Sequence, residues 1–356
     1  MTLIPRILGA LAGCALAALR VHAAPDPSAY RVVRQIAATT ARWDYAAVDA
    51  AAQRLYVGRV GGVLAVDLQT GTSSTLAPSA LVHGVLPIPD SDRVMSTNGE
   101  ANSVTVFNGT TGRVLATIAT GREPDAIIFE PRTGLVVTTN EESQTLTLID
   151  PAALKAVGEI ALPGKPEYPA ADGRGSVYDN IENRNEIAQI DVANRRVVRT
   201  LALPGCDRPT GLAYDGADEL LISVCHNGVA LFLDAKSGDI QATIKIGNVP
   251  DAVLIDAARR LVLIPCGDPG ILSVIAVRSG ADIHLVQTLK TRPGSRTGAL
   301  DPKTGTVYLP SAQFSAPLRA GASPQIVPYS FSVLVAATSG AGNGAIAPSK
   351  ARGPQL

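Results

Sequence analysis

The chain repeats itself. Pro124-Asp125-Ala126 opens the segment PDAIIFEPRTGLVVTTNEESQTLTLIDPAALKAVGEI, and Pro250-Asp251-Ala252 opens another of the same design. Pro166-Glu167 and Pro209-Thr210 begin two more, while Trp43-Asp44, Val82-His83 and Ser295-Arg296 begin three with looser spelling. The aligned positions are Asp44, His83, Asp125, Glu167, Thr210, Asp251 and Arg296, spaced by 39, 42, 42, 43, 41 and 45 residues. A supersecondary unit of that length cannot bury its apolar face alone and must stack on its neighbours, so the period constrains the fold more than any single motif.

Each unit is punctuated in the same way. A short apolar run follows the start and ends in a turn such as Glu130-Pro131-Arg132-Thr133-Gly134 or Asp301-Pro302-Lys303-Thr304-Gly305. Proline presets φ in such turns and glycine supplies the positive φ. A second run such as LVVTTN follows. A third ends at Asp67, Asn108, Asp150, Asp191 or Asp234, whose side chains can accept amide hydrogen bonds in the next turn. A fourth closes the unit: RVLATI, KAVGEI, RVVRTL, DIQATI, HLVQTL. Four short strands per unit, with no sustained 3.6-residue period, predict an all-β, seven-bladed β-propeller of four-stranded blades over residues 24–338.

The last unit lacks its fourth strand. It offers strands near 298–302, 305–311 and 329–337 and then runs into SGAGNGAIAPSKARGPQL, residues 339–356, a flexible tail by composition. The missing strand is supplied from the other end, because RVVRQI at 31–36 nearly copies the unit-closing RVVRTL at 196–201. The N-terminal strand is expected to complete the last blade, which leaves no open edge at the seam.

Residues 1–23 read as a secretory signal peptide: an early Arg6, an apolar run from Ile7 to Leu19, and the small-residue site Val21-His22-Ala23. The run is too short to span a membrane. Leu11-Ala12-Gly13-Cys14 also resembles a lipobox, but the apolar run continues past Cys14, which favours cleavage after Ala23. The expected location is periplasmic or secreted, where disulfides form. Without the leader, 29 basic residues stand against 31 acidic ones. A near-neutral chain with 4 % aromatic residues lacks the basic footprint and stacking platforms of a nucleic-acid binder, so single-stranded nucleic-acid binding ranks third among the readings.

The ends of the second strands carry a recognisable spelling: Val136-Val137-Thr138-Thr139-Asn140, Val94-Met95-Ser96-Thr97-Asn98 and Val177-Tyr178-Asp179-Asn180. With Pro166-Glu167-Tyr168, ADGRGSVYDNIENRNEIAQID, RPTGLAYD and VQTLKTRPGSRTGALDPKTGTVYLPSAQF, residues 30–337 resemble the YVTN-repeat, YncE-like propellers of secreted bacterial proteins. The resemblance implies a seven-bladed propeller outside the cytoplasm and no single reaction. The sequence departs from the family's asparagine pattern at Arg59, Cys225, Cys266 and Ser311.

Innermost strands of a propeller converge on its axis, so Asp44, His83, Asp125, Glu167, Thr210, Asp251 and Arg296 are expected to ring one mouth of the channel. The second-strand ends Arg59, Asn98, Asn140, Asn180, Cys225, Cys266 and Ser311 are expected to return to the same face. Four carboxylates and a histidine could hold a divalent cation on the axis. Arg296 could clamp an anionic group. The plainer alternative is a solvated funnel in which Arg296 pairs with Asp44 or Asp251. Cys206 and Cys225 belong at one face and are expected to pair, although Cys225 with Cys266 is another pairing, and copper with His226 a remote one. Cys-x-x-Cys-His and Gly-x-Ser-x-Gly motifs are absent, and Trp43 is the chain's single tryptophan, which argues against covalent haem, an esterase elbow and a tryptophan-docked quinoprotein. The primary reading is a monomeric binding or scaffold protein that takes a small molecule or a protein at its axial face. The alternative is a metal-dependent hydrolase or lyase of the lactonase-propeller type.

Overall fold

The computed structural model describes residues 29–279, 282–315 and 324–339. The expected leader at 1–23 lies outside these residues, as does the expected tail beyond Ser339. Among the described residues, seven antiparallel sheets follow one another along the chain as the blades of a propeller. Blades 1 to 5 span 43–76, 82–119, 124–161, 166–202 and 209–245, each with four strands in simple sequence order. Blade 6, 248–290, has its innermost strand broken into Asn248–Pro250 and Leu254–Asp256. Among the described residues, no helix is long and apolar enough to cross a membrane.

Blade 7 joins the chain's two ends. Its sheet runs Ala299–Asp301, Thr306–Ser311, Ser332–Thr338 and then Tyr30–Ala37 as the outer strand. Antiparallel pairing extends from Tyr30 opposite Thr338 to Ala37 opposite Ser332. The strand expected to close the ring therefore does close it, hydrogen-bonded along the edge that blade 7 would otherwise leave bare.

The alternation written in each strand buries one face against each neighbouring blade. Val137, Leu146 and Leu148 of blade 3 pack with Val177, Ile187-adjacent Ala188 and Ile190 of blade 4, all essentially inaccessible. The third-strand acids form the expected turns. Asp67 Oδ1 accepts the amides of Gln69 and Thr70, Asp150 Oδ1 those of Ala152 and Ala153, and Asp234 Oδ1 those of Lys236 and Ser237. These backbone hydrogen bonds hold the three carboxyls below the usual carboxylate range.

Candidate functional site

A repeated irregularity aims the unit-start side chains. In blades 1 to 5 the first residue of the innermost strand pairs with the end of the second strand, and the register then breaks: after Trp43, Val82, Pro124, Pro166 and Pro209. The residue immediately after each of these sits in the break, and those residues are Asp44, His83, Asp125, Glu167 and Thr210. Blade 6 shows the same feature as a gap after Pro250, at Asp251. Such bulges re-aim side chains and are common beside functional sites.

Five of the seven positions form one bonded chain. His83 Nδ1 lies 2.7 Å from Asp44 Oδ2 and 3.4 Å from Asp125 Oδ1. Arg296 Nε lies 2.8 Å from Asp251 Oδ2, and its guanidinium reaches Asp44 Oδ1 at 3.5 Å. Asp44 thus joins blade 2 to blade 7. Thr210 is different: its hydroxyl donates to the carbonyl of Pro250 at 2.7 Å and is spent on the wall between blades. Glu167 stands apart from the bonded chain and meets two acids that the repeat pattern does not mark. Its carboxylate lies within 4.8 Å of those of Glu141 and Glu182. Lys165 Nζ bridges this pair, bonding Glu141 closely and Glu182 at 2.8 Å.

Burial and mutual repulsion dominate the electrostatics. Asp125 is raised well above the carboxylate range, by burial first and then by Asp44, Glu141 and Asp251. Glu167 is raised in the same way, by burial, Asp125 and Asp251. Asp251 is pushed up to about 6, because burial outweighs its bond to Arg296. Burial alone would lower His83, yet the hydrogen bond and charge of Asp44 lift it above the ordinary imidazole range. Six carboxyls face two permanent cations, Arg296 and Lys165, and the imbalance is what a bound cation would relieve. Among the described residues, two sets have the donor chemistry for it: Asp44, His83 and Asp125, and Glu141, Glu167 and Glu182, the donor atoms of each set lying within 4.8 Å of one another.

Two tyrosines complete the mouth. Tyr45 and Tyr168 each directly follow a ring position, and their rings pack at 5.0 Å between centroids. Burial and then the charges of Asp125, Asp251, Glu167 and Asp44 raise Tyr45 well above the phenol range, while burial with Asp125 and Asp251 pushes Tyr168 up to about 12. Both stay neutral hydrogen-bond donors. Their signal in the sequence is the pair WDY and PEY, an aromatic one place after an acid. That of Glu141 and Glu182 is an acid one place after the second strand.

At two second-strand ends the amide nitrogens are spent within the blade. Asn98 and Asn140 are buried, and their amide nitrogens donate to Thr105 and Thr147 on the third strand at 2.9 Å each. In blade 4 the equivalent residue is Ile181, opposite Pro166, so Asn180 falls one place short of the ring expected for it. Its side chain crosses to blade 5, donating to Thr210 O at 2.6 Å and accepting from Ser223 Oγ at 2.9 Å. A one-residue offset on a strand reverses the face. Cys206 and Cys225 form a disulfide, and Cys266 is a buried free thiol packed against Ser273.

No family model matches the sequence, and no curated protein matches it. Solved structures do. A chain of Kuenenia stuttgartiensis hydrazine synthase superposes with a TM-score of 0.66 at 17% identity, over 74% of this chain and 91% of that one. U3-55K superposes with a TM-score of 0.71 at 9% identity, over 85% of this chain and 97% of that one. At such identities the likeness is one of fold.

Proposed function

We propose that the protein is a YncE-like, extracytoplasmic propeller that binds a small ligand at its axial mouth, with a divalent cation held by Asp44, His83 and Asp125 as part of the site. One observation carries this reading: donor atoms of Asp44, His83 and Asp125, brought together from blades 1, 2 and 3, lie within 4.8 Å of one another. Crowded, desolvated carboxylates repel one another at a cost in stability, and a bound cation would offset that cost. The Cys206–Cys225 disulfide supports an oxidising compartment.

The test is metal content of the purified protein together with its melting temperature before and after chelation. Near-stoichiometric metal and a melting point that falls on chelation are expected in the wild type. In the double variant Asp125→Asn with Asp251→Asn, the metal should be lost while the blades remain folded. A wild type that binds no divalent cation at millimolar concentration ends this reading.

A hydrolase or lyase is the second reading, favoured by the 2.7 Å contact between His83 Nδ1 and Asp44 Oδ2, two members of the cation set. A carboxylate that orients an imidazole is the arrangement of a general base. Turnover of a lactone and ester panel by the metal-loaded protein, abolished in His83→Gln, distinguishes it from binding alone.

A further inference from the structure

We propose that a separate cavity beside the axial ring, between blades 6, 7 and 1, binds a planar aromatic carboxylate. The cavity holds about 510 Å³, within the range of small-molecule sites. Its lining includes Arg42, Trp43, Asp268, Arg296, Phe314 and Ile326. It shares Arg296 with the ring and needs no cation, so it goes beyond the reading above.

The cavity exists because blade 7 departs from the repeat. Blades 2 and 3 join their second and third strands through 99–102 and 141–144, whereas blade 7 uses the longer 312–331, of which 312–315 and 324–331 are described. Phe314 and Ile326 form an antiparallel bridge in this connection, backed by Ser315 N to Gln325 O at 2.9 Å and Val327 N to Gln313 O at 2.8 Å. The bridge stands Phe314 at the cavity's lip, 39% exposed, with its ring 6.2 Å from that of Trp43. Trp43 is fixed from behind by an edge contact with the buried Phe331 at 5.2 Å. Gly294, at φ +83°, leaves room for Phe314: a Cβ there would stand 2.4 Å from the ring. Gly267 accepts the Gly294 amide at 2.7 Å and keeps the adjoining wall free of side chain.

Two aromatic faces set the shape, and the Arg42 guanidinium supplies the charge a ligand would meet. Arg42 is exposed and makes no ion pair among the described residues. Arg296 enters from the ring side, 44% exposed at its side chain. Asp268 is the acid of the lining, 3.4 Å from the Asn248 amide nitrogen. Arg296 is already paired with Asp251 and Asp44, so among the described lining residues Arg42 is the cation left for a ligand. A flat ring lying against Trp43 and Phe314 would bring its carboxylate to Arg42, where a fork of N–H donors matches two carboxylate oxygens. An acidic metabolite with an aromatic ring has this chemistry. A simple aliphatic acid or a neutral arene has only half of it.

The experiment is titration calorimetry on chelator-stripped, full-length protein with 2-naphthoate, 2-naphthamide and acetate, with the indole N–H resonance of Trp43, the sole tryptophan, as reporter of position. Stripping the metal first makes the result independent of whether the axial ring binds a cation. We expect 2-naphthoate to bind and to shift the Trp43 resonance. The amide should bind about tenfold more weakly, and acetate not measurably. Arg42→Gln and Phe314→Ala, both at exposed side chains, should each lose about tenfold in affinity with unchanged melting temperature. Absence of heat with 2-naphthoate at millimolar concentration, equal binding of the amide, or undiminished affinity in both variants overturns the proposal.

Discussion

Tyr30 and Gln287 hold each other by two hydrogen bonds: Tyr30 N donates to Gln287 Oε1 at 2.9 Å, and Gln287 Nε2 donates back to Tyr30 O at 2.7 Å. The phenol of Tyr30 continues inward, donating to Gly305 O at 2.8 Å and lying 3.2 Å from Asp256 Oδ2. The strand that closes blade 7 is thereby fastened to blade 6 as well. Closure is a three-way joint, which explains why a strand from the far end of the chain can hold the ring.

Removing residues 24–37 should therefore abolish cooperative folding or lower the melting temperature drastically, because it strips the outer strand of blade 7 and the clasp together. Gln287→Ala should be milder, about 1–2 kcal/mol by denaturant titration, for two partly buried hydrogen bonds. A truncated chain that melts like the full one would show the clasp to be dispensable.

The Cys206–Cys225 disulfide closes a separation of 19 residues between blades 4 and 5. Constraining a loop of that size in the unfolded chain is worth about 3 kcal/mol. Reductant should lower the melting temperature, and Cys206→Ala with Cys225→Ala should reproduce the loss without reductant. Alkylation of the unfolded, unreduced propeller followed by peptide mapping should label Cys266 and leave the other two unmodified. Label on all three rejects the pairing.

Stability should depend on pH in a direction unusual for a protein with many ion pairs. Asp251, with a folded value of about 6, and Asp125 and Glu167, both raised well above the carboxylate range, bind protons more tightly folded than unfolded. Such carboxyls stabilise the fold as pH falls through their folded values toward the unfolded value near 4, and they weaken it as pH rises. His83 is also raised, so its contribution is complete below the unfolded imidazole value and is lost as pH rises through the folded one: the same sign. Chelator-stripped protein should melt higher at pH 5.5 than at pH 7.5, and Asp125→Asn with Asp251→Asn should flatten that slope. A slope of opposite sign would mean the ring is solvated and relaxed. Added divalent cation should help most at the higher pH, where the carboxyls are ionised.

What was legible in the sequence follows from what is local. The blade starts can be aligned because each precedes the same strand-and-turn spelling, while the register breaks that follow them appear only in the strand pairing. The seam was legible because Arg31–Ile36 copies a closing strand. Asn180 was misplaced because blade 4 ends its second strand at Ile181, and spelling alone does not reveal a one-residue offset. Tyr45, Tyr168, Glu141 and Glu182 were missed because they sit one place beside the periodic positions. Only the convergence of seven blades brings them to the mouth. The Trp43–Phe314 cavity was invisible for the opposite reason: it is built by the connection in blade 7 that breaks the period.

The last prediction turns on a glycine beside the ring. The imidazole of His83 lies against Gly99, where an added Cβ would meet Nε2 at 2.7 Å and Cδ2 at 2.9 Å. Nε2 is buried there without a hydrogen-bond partner, so the glycine surface and the Asp44 contact together fix the ring's position. Gly99 is not in the left-handed region, so alanine fits its backbone, and the clash falls on the movable end of a side chain. Gly99→Ala should therefore cost about 1 kcal/mol of stability or less. It should nevertheless swing the imidazole off Asp44, scattering the donor set of Asp44, His83 and Asp125. Divalent-cation affinity should fall about tenfold for a set that must now be reassembled on binding. His83→Gln supplies the comparison, since it removes the imidazole without crowding Gly99. Calorimetry with the metal, alongside a proton-NMR titration of His83, decides the matter. If Gly99→Ala binds the cation as tightly as wild type while His83 titrates at its wild-type pH, the imidazole does not depend on Gly99 for its place, and the geometry assigned to the cation set is wrong.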